Sequence, residues 1–300
     1  MKYASYFLFA CILLSVAACG SDDNSPDKPQ PPVDNRMEVN ITTRTEEPVQ
    51  GEQLQAGLYM VNYVGEQADV LLPANNYVNN QLLTWTNDEW TTSTPIYWND
   101  TQTRADFYGY APYQANVADA RGLAFSVQTD QTTAAAFAQS DFLWGKVEGR
   151  LPTDGGFSLT LSHILSQLTV TVTADTGFDE NELQAKDVEV TFGGSKTSST
   201  IDFSTGVVSV TGEANDVAML SNGDLTYKAV LLPQLVPFSN LIKVNWKGNV
   251  YTLQNSYMLE AGRQYNITVR LKKTKSGFDV GIVGWDIIGE DFGGTIGGNE

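Results

Sequence analysis

The chain has 300 residues, 42% hydrophobic and 18% charged. That is the composition of a folded protein, and the length is enough for two domains of roughly 100–200 residues each. The formal net charge is −17, from 35 acids against 18 bases. A nucleic-acid partner needs a basic patch to neutralise phosphates, and no such patch is visible, so that class is excluded. At the N-terminus Lys2 gives a short positive start, and the apolar run YFLFACILLSVAA follows it. This run is too short to stay in a bilayer as a spanning helix and reads as a secretory signal over residues 1–18.

Small residues Ala17 and Ala18 precede Cys19, and Val16-Ala17-Ala18-Cys19 resembles a bacterial lipobox, in which the cysteine becomes the acylated N-terminus. The plain alternative is an ordinary signal with a chance cysteine. The only other cysteine, Cys11, leaves with the signal, so the folded part is expected to hold without disulfides. Two or more acyl chains (palmitate among them) at about 0.8 kcal/mol per buried CH₂ anchor a protein stably in a membrane. Residues 19–36 contain SDDNSPDKPQPPVDN, a polar, Pro-rich tether. Asp22 and Asp23, just after the cysteine, resemble the signal that sends lipoproteins of Bacteroides-type bacteria to the outer face of the outer membrane.

From Met37 onward the apolar period is two. MEVNITT places Val39 and Ile41 on one face, and AGLYMVNYV over 56–64 follows the same rule. Further strands are predicted at 81–86, 105–110, 122–127, 157–162 and 166–173. A second set is predicted at 187–192, 206–210, 226–232, 241–246, 249–253, 264–271 and 278–283. Turns are predicted at Gly155-Gly156, Gly193-Gly194, Ser221-Asn222-Gly223 and Lys247-Gly248-Asn249, the last as a tight hairpin. Short helices are predicted at 131–139 and 179–185, the second because its acids suit a helix N-terminus. So many short strands predict an all-β chain of two β-sandwich domains in series, 37–156 and 157–300, divided near Gly156.

Chemistry has little to work with. His163 is the only histidine, and it lies among apolar and hydroxyl residues in SLTLSHILSQLTV. A packed, hydrogen-bonded histidine is expected there, not a metal or triad ligand. The carboxylates of FDENE, 178–182, are contiguous, whereas acid–base catalysis needs two held across a cleft; a solvated loop is expected. The C-terminal GEDFGGTIGG has no strand-to-helix context for a phosphate loop. No enzyme activity, cofactor or metal is expected. Trp85, Trp90, Tyr97 and Trp98, then Phe107, Tyr108, Tyr110 and Tyr113, form aromatic clusters. Core filling is the first use of such residues, with a sugar-stacking platform as the alternative.

Five stretches together resemble the fimbrillin family: ADFYGYAPY at 105–113, SDFLWGKV at 140–147, LTLSHILSQLTVTV at 159–172, LEAGRQYNITVRLKKT at 259–274, and VGIVGWDIIG with Ile282 and Trp285. Gly109 stands where the family often has alanine, a departure expected to matter little. The resemblance implies two transthyretin-like β-sandwich domains with a few short helices. It also implies the role of a type V pilus subunit in cell adhesion, exported as a lipoprotein to the outer membrane and the fimbrium. In that family an Arg-specific surface protease removes the first strand, and a strand of a neighbouring subunit fills the groove. Here the cut is expected after Arg44, with Arg36 as the alternative; a solvated loop arginine is the plain reading of Arg44. Val39 and Ile41 would leave with the displaced strand. Val280, Ile282 and Trp285, within 278–292, are the candidate donor. The implied partners are other pilus subunits, the protease, and the outer membrane through Cys19. A surface lipoprotein that binds glycans and never polymerises is the competing function.

Overall fold

A computed structural model describes residues 36–44, 55–65, 71, 76–86, 89–175, 177–179, 181–273, 280–282 and 287–291. The signal, Cys19, the tether up to Asn35 and Trp285 lie outside the described residues. The chain is almost all β. The first nine strands are β1 (Ile41–Arg44), β2 (Gln55–Tyr63), β3 (Val78–Thr86), β4 (Glu89–Thr91), β5 (Arg104–Ala111), β6 (Leu123–Ser126), β7 (Leu143–Arg150), β8 (Phe157–Thr160) and β9 (Ser162–His163). After them come β10 (Ser166–Ala174), β11 (Val188–Asp202), β12 (Val207–Ala218), β13 (Leu220–Ser221) and β14 (Thr226–Leu231). The last are β15 (Gln234–Trp246), β16 (Asn249–Leu259), β17 (Arg263–Lys273), β18 (Val280–Ile282) and β19 (Ile287–Asp291).

These strands form four sheets. The first has the order β4-β3-β2-β5-β7-β9. β1 and β8 make a separate two-stranded parallel pair. A third sheet runs β12-β11-β15-β16, with β6 also on β11. The fourth runs β13-β14-β10-β17, with β18 and β19 both on the outer side of β17. β10 shows why the period works: Ser166, Leu168, Val170 and Val172 are buried while the intervening residues are half-exposed. Those apolar residues meet Phe192, Val236, Ile242 and Val244 of the facing sheet in one core.

β2 forms where the period of two placed it, but it is buried on both faces, so apolar residues stand on each side of it. Leu58 and Met60 point into a core with Phe107, Trp98 and Phe157. Tyr59 and Val61 point the other way, into a second core with Tyr110, Phe142, Ile201 and Phe203. There Tyr110 stacks 4.4 Å from Phe203 and 5.8 Å from Phe142. β6 precedes Gly156 and pairs with β11 beyond it, so this middle core is built from both sides of that position.

Three local expectations are corrected. Gly193-Gly194 is not a turn: β11 runs through it, and the register slips between Phe192 and Ser195. A Cβ on Gly193 would lie 2.3 Å from the carbonyl oxygen of Asn240, so the pair marks a bulge where two backbones approach. The helix expected at 179–185 does not form. Asn181 has φ of 64°, which a right-handed helix does not admit, and only a 3₁₀ turn at Ala185–Asp187 follows. The first helix is shorter than expected, Ala134–Gln139, because Gln131 is buried and pairs through its amide with both the N–H and the C=O of Val230, each at 2.8 Å. Thr133 then caps the helix by accepting from the N–H of Ala136. The hairpin between β15 and β16 forms as expected, with Lys247 and Gly248 both at positive φ, the pattern of a two-residue turn that matches strand twist.

Burial pushes several tyrosine hydroxyls up. Tyr59 and Tyr108 rise well above the usual phenol range, and Tyr110, Tyr227 and Tyr257 are pushed up to about 12. Their folded values exceed the unfolded one, so the neutral phenols stabilise the fold fully below about pH 10, and this is lost as pH rises through the folded values. Stability is expected to be flat up to about pH 10 and then to fall steeply, with tyrosinate absorbance appearing together with loss of the β-sheet circular dichroism signal. Ionisation of all tyrosines near their free value, with the fold intact, would contradict this burial.

Candidate functional site: the first strand and its cradle

The sequence singles out residues 37–44, and the structure gives this segment an unusual setting. Met37 accepts from the N–H of Trp98 at 2.9 Å, and the N–H of Val39 donates to Ile96 at 2.8 Å. The N–H of Phe157 donates to Asn40 at 3.1 Å, and from Ile41 onward the strand runs parallel to β8, Ile41 facing Phe157 and Arg44 facing Thr160. β1 has no other ladder partner among the described residues. A parallel pair of two strands is a weak unit by itself, so side-chain burial must hold it.

That burial falls on the residues the alternation predicts. Val39 is buried, and Met37 and Ile41 are half-buried against the same core. Beneath them lies an aromatic floor. Phe107 and Phe157 are 4.5 Å apart, and Trp98 meets Phe107 edge-on at 5.5 Å. Leu58, Met60, Leu143, Leu159 and Leu161 complete the cradle. These walls are apolar, with the Arg150 guanidinium 5.4 Å from the centre of the Phe157 ring; what such a cradle can bind is a strand with apolar side chains at alternate positions.

The two candidate cut sites differ. Arg36 lies before the segment, with its guanidinium 4.3 Å from the centre of the Tyr97 ring. Arg44 is the last residue of β1, so a cut there separates the whole buried segment from the rest of the chain, whereas a cut at Arg36 leaves it attached. Val280 and Ile282 lie in β18, against Lys273 and Leu271 of β17. Among the described residues β18 and β19 each have one ladder partner, β17, and occupy the outer position of their sheet.

Among the aromatic clusters, Trp98, Phe107, Tyr108 and Tyr110 are buried, as core filling requires; Trp85, Trp90, Tyr97 and Tyr113 are half-buried. Trp85 and Trp90 pair across β3 and β4 at 5.4 Å. His163 is the packed histidine expected, its Nδ1 2.8 Å from Asp141 Oδ2. Asp179 is exposed and its N–H donates to Glu182 Oε2, a turn within a solvated loop.

Sequence reading missed the role of β8. FSLT was expected as an ordinary sheet strand, yet among the described residues its one ladder partner is β1. Its neighbour Gly145 offered the available signal: a glycine inside a strand marks a close backbone approach. A Cβ there would lie 1.9 Å from the carbonyl oxygen of Thr160, the residue opposite Arg44.

A profile of the family described as fimbrillin-like matches residues 43–285. Among solved structures, a Bacteroides uniformis protein assigned to cell adhesion superposes with a TM-score of 0.66 at 22% identity, covering 87% of this chain and 100% of that one. A Bacteroides ovatus protein with the same assignment gives 0.64 at 16% identity over 86% and 97%. A fimbrial protein from Bacteroides vulgatus gives 0.50 at 14% identity over 86% and 100%. Likeness at these identities speaks to the fold. No curated protein matches the chain.

Proposed function

Because this chain belongs to the fimbrillin-like family, we propose that it is a structural subunit of a cell-surface pilus serving adhesion, matured by cleavage after Arg44 and assembled by strand exchange. The observation that carries this reading is the setting of residues 37–44. They are held by an apolar cradle and one parallel partner strand, and they end at an arginine. Once the chain is cut after Arg44, only non-covalent contacts keep Val39 and Ile41 in place. A strand from another subunit with apolar residues at alternate positions then competes for the same groove. Exposure of that groove drives polymerisation without any nucleotide, because apolar area returns to a buried state when the donor enters.

The remaining steps follow from the family and from the sequence. Cys19 carries the lipid that holds the precursor in the outer membrane, and an Arg-specific surface protease makes the cut. The donor comes from residues 278–292, with Val280, Ile282 and Trp285 as its apolar side. The outer position of β18 and β19 supports this choice, since a strand with one neighbour leaves at lower cost than one with two. The division into two transthyretin-like domains near Gly156 belongs to the same proposal.

N-terminal sequencing of protein recovered from the cell surface tests the reading. The mature chain is expected to begin at Thr45, and Arg44→Ala is expected to block both this cut and the appearance of polymer while leaving the circular dichroism spectrum unchanged. A mature chain beginning at Met37 moves the cut to Arg36, and normal polymer from Arg44→Ala overturns the role of Arg44. Tight glycan binding by an intact, lipid-bearing monomer would favour the competing lipoprotein.

A further inference from the structure

The two outer strands of the third sheet are built differently. β12 is blunted, as exposed edges usually are: Gly212 at φ of 78° and two register shifts bend it, and exposed Glu213 and Asp216 charge it. β16 has two register shifts in its ladder with β15 as well, but lacks the glycine and the charges. Its eleven residues, NVYTLQNSYML, include no charged residue, no proline and no glycine, in a chain of net charge −17. Among the described residues β15 is its one ladder partner; β18 lies near the strand but shares no ladder with it. Alternation along an antiparallel strand sends every second N–H and C=O away from the partner, so β16 presents a row of backbone groups on its open side.

From these observations we infer that β16 pairs with β16 of a second copy of this chain, antiparallel about a two-fold axis at Gln254. The occupant follows from the order of the outward side chains. From Val250 onward the exposed residues of the strand are Val250, Thr252, Gln254, Ser256 and Met258, alternating with buried or half-buried ones; Asn249 before them is exposed too. Read from either end they run apolar, hydroxyl, amide, hydroxyl, apolar. Antiparallel pairing about Gln254 therefore sets Val250 against Met258, Thr252 against Ser256, and the two Gln254 amides against each other. On the inner face Tyr251 meets Tyr257, and Leu253 meets Asn255.

An isologous two-fold contact requires this self-complementarity, and directly opposed like groups of these kinds are favourable cross-strand pairs. Charge supports the same partner. Two copies of so acidic a chain repel each other, and an uncharged strand is where they approach with the least repulsion. Val250 is 61% exposed and Met258 53%, so both gain burial when they meet. The pairing joins two five-stranded sheets into one continuous sheet. It involves a different sheet from the first-strand site and does not rest on processing at Arg44.

The test uses the chain from Gly20 onward, which keeps every described residue and contains no cysteine, since the chain's two are Cys11 and Cys19. Opposed residues of an antiparallel pair have Cα atoms about 4.5–5.5 Å apart, within the range a disulfide spans. Gln254→Cys is therefore expected to give a disulfide-linked dimer under mild oxidation at least about tenfold faster than Val207→Cys, an exposed control on β12. In sedimentation equilibrium the parent chain is expected to dimerise at roughly micromolar concentration, because one strand pair is smaller than a standard interface. Gln254→Lys, which opposes two like charges at the axis, is expected to weaken that dimer at least about tenfold. A parent chain that stays monomeric throughout, cross-linking of Gln254→Cys no faster than the control, or an unchanged dimer in Gln254→Lys each overturns the inference.

Discussion

A chain that begins at Thr45 is expected to be much less stable than one that begins at Met37, and to bind a hydrophobic dye that the longer chain does not. Val39 is buried and Met37 and Ile41 are half-buried, all on one apolar core. Full burial of a side chain of this size contributes roughly 1.5–3 kcal/mol. Losing one full and two partial burials therefore costs about 3–5 kcal/mol, a large share of the roughly 5–15 kcal/mol that holds a protein folded. The floor left behind, Phe107, Phe157, Trp98 and their leucine neighbours, becomes accessible to the dye. Adding a peptide of residues 36–44 is expected to raise the melting temperature and to quench dye binding. The same peptide with Val39→Asp and Ile41→Asp is expected to do neither, because each aspartate would have to be buried unpaired. If the two chains melt together and bind dye alike, the segment is not the structural element that the cradle makes of it.

Gly145→Ala is expected to destabilise the protein by about 3 kcal/mol, near the upper end for overpacking a well-filled core. The added methyl would sit 1.9 Å from the carbonyl oxygen of Thr160 and 2.9 Å from its carbonyl carbon. Both are backbone atoms of β8, the strand that holds β1, so the clash cannot be relieved by a side-chain rotation. For a chain of this length that corresponds to a fall in melting temperature of roughly 6–12 °C. Gly109, directly opposite Gly145 on β5, is the control. A methyl there would meet Leu159 Cδ2 at 2.8 Å and Leu161 Cδ2 at 2.9 Å, the mobile ends of two side chains. Gly109→Ala is expected to cost less than about 1 kcal/mol, the range of changes a core absorbs by small repacking. Differential scanning calorimetry of the two variants separates the cases, and equal melting temperatures would rule out the backbone contact. Gly145→Ala also moves the strand opposite Arg44, so the peptide of residues 36–44 is expected to bind its Thr45 form more weakly.

Strand existence was legible where the buried face is apolar. Leu168, Val170 and Val172 announce β10 because solvent lies on the other side and threonines can face it. β7 was legible only through resemblance, since LWGKVEGR has no clean alternation over its charged half. β15 is longer than its apolar core suggested, because it continues through Pro237 by way of a register shift between Val236 and Ser239. Gly193-Gly194 carries the local chemistry of a turn, yet Asn240 of a distant strand lies against it, and that neighbour makes it a bulge.

The first-strand site divides in the same way. Alternation marked Val39 and Ile41, and position in the chain marked Arg44. The cradle was not legible, because Trp98, Phe107 and Phe157 come from three segments that meet only in the folded chain. By itself, the sequence determined what depends on near neighbours: the two-residue period, the hairpin at Lys247-Gly248 and the segments that resemble a family. Only the tertiary structure decided which strand pairs with which: β1 with β8, β6 across to β11, charged β12 at one edge of its sheet and uncharged β16 at the other. A strand's side-chain alternation shows which of its faces is buried but carries no record of its partner, because backbone hydrogen bonds are the same for every residue and pairing is settled by contacts far apart in the chain.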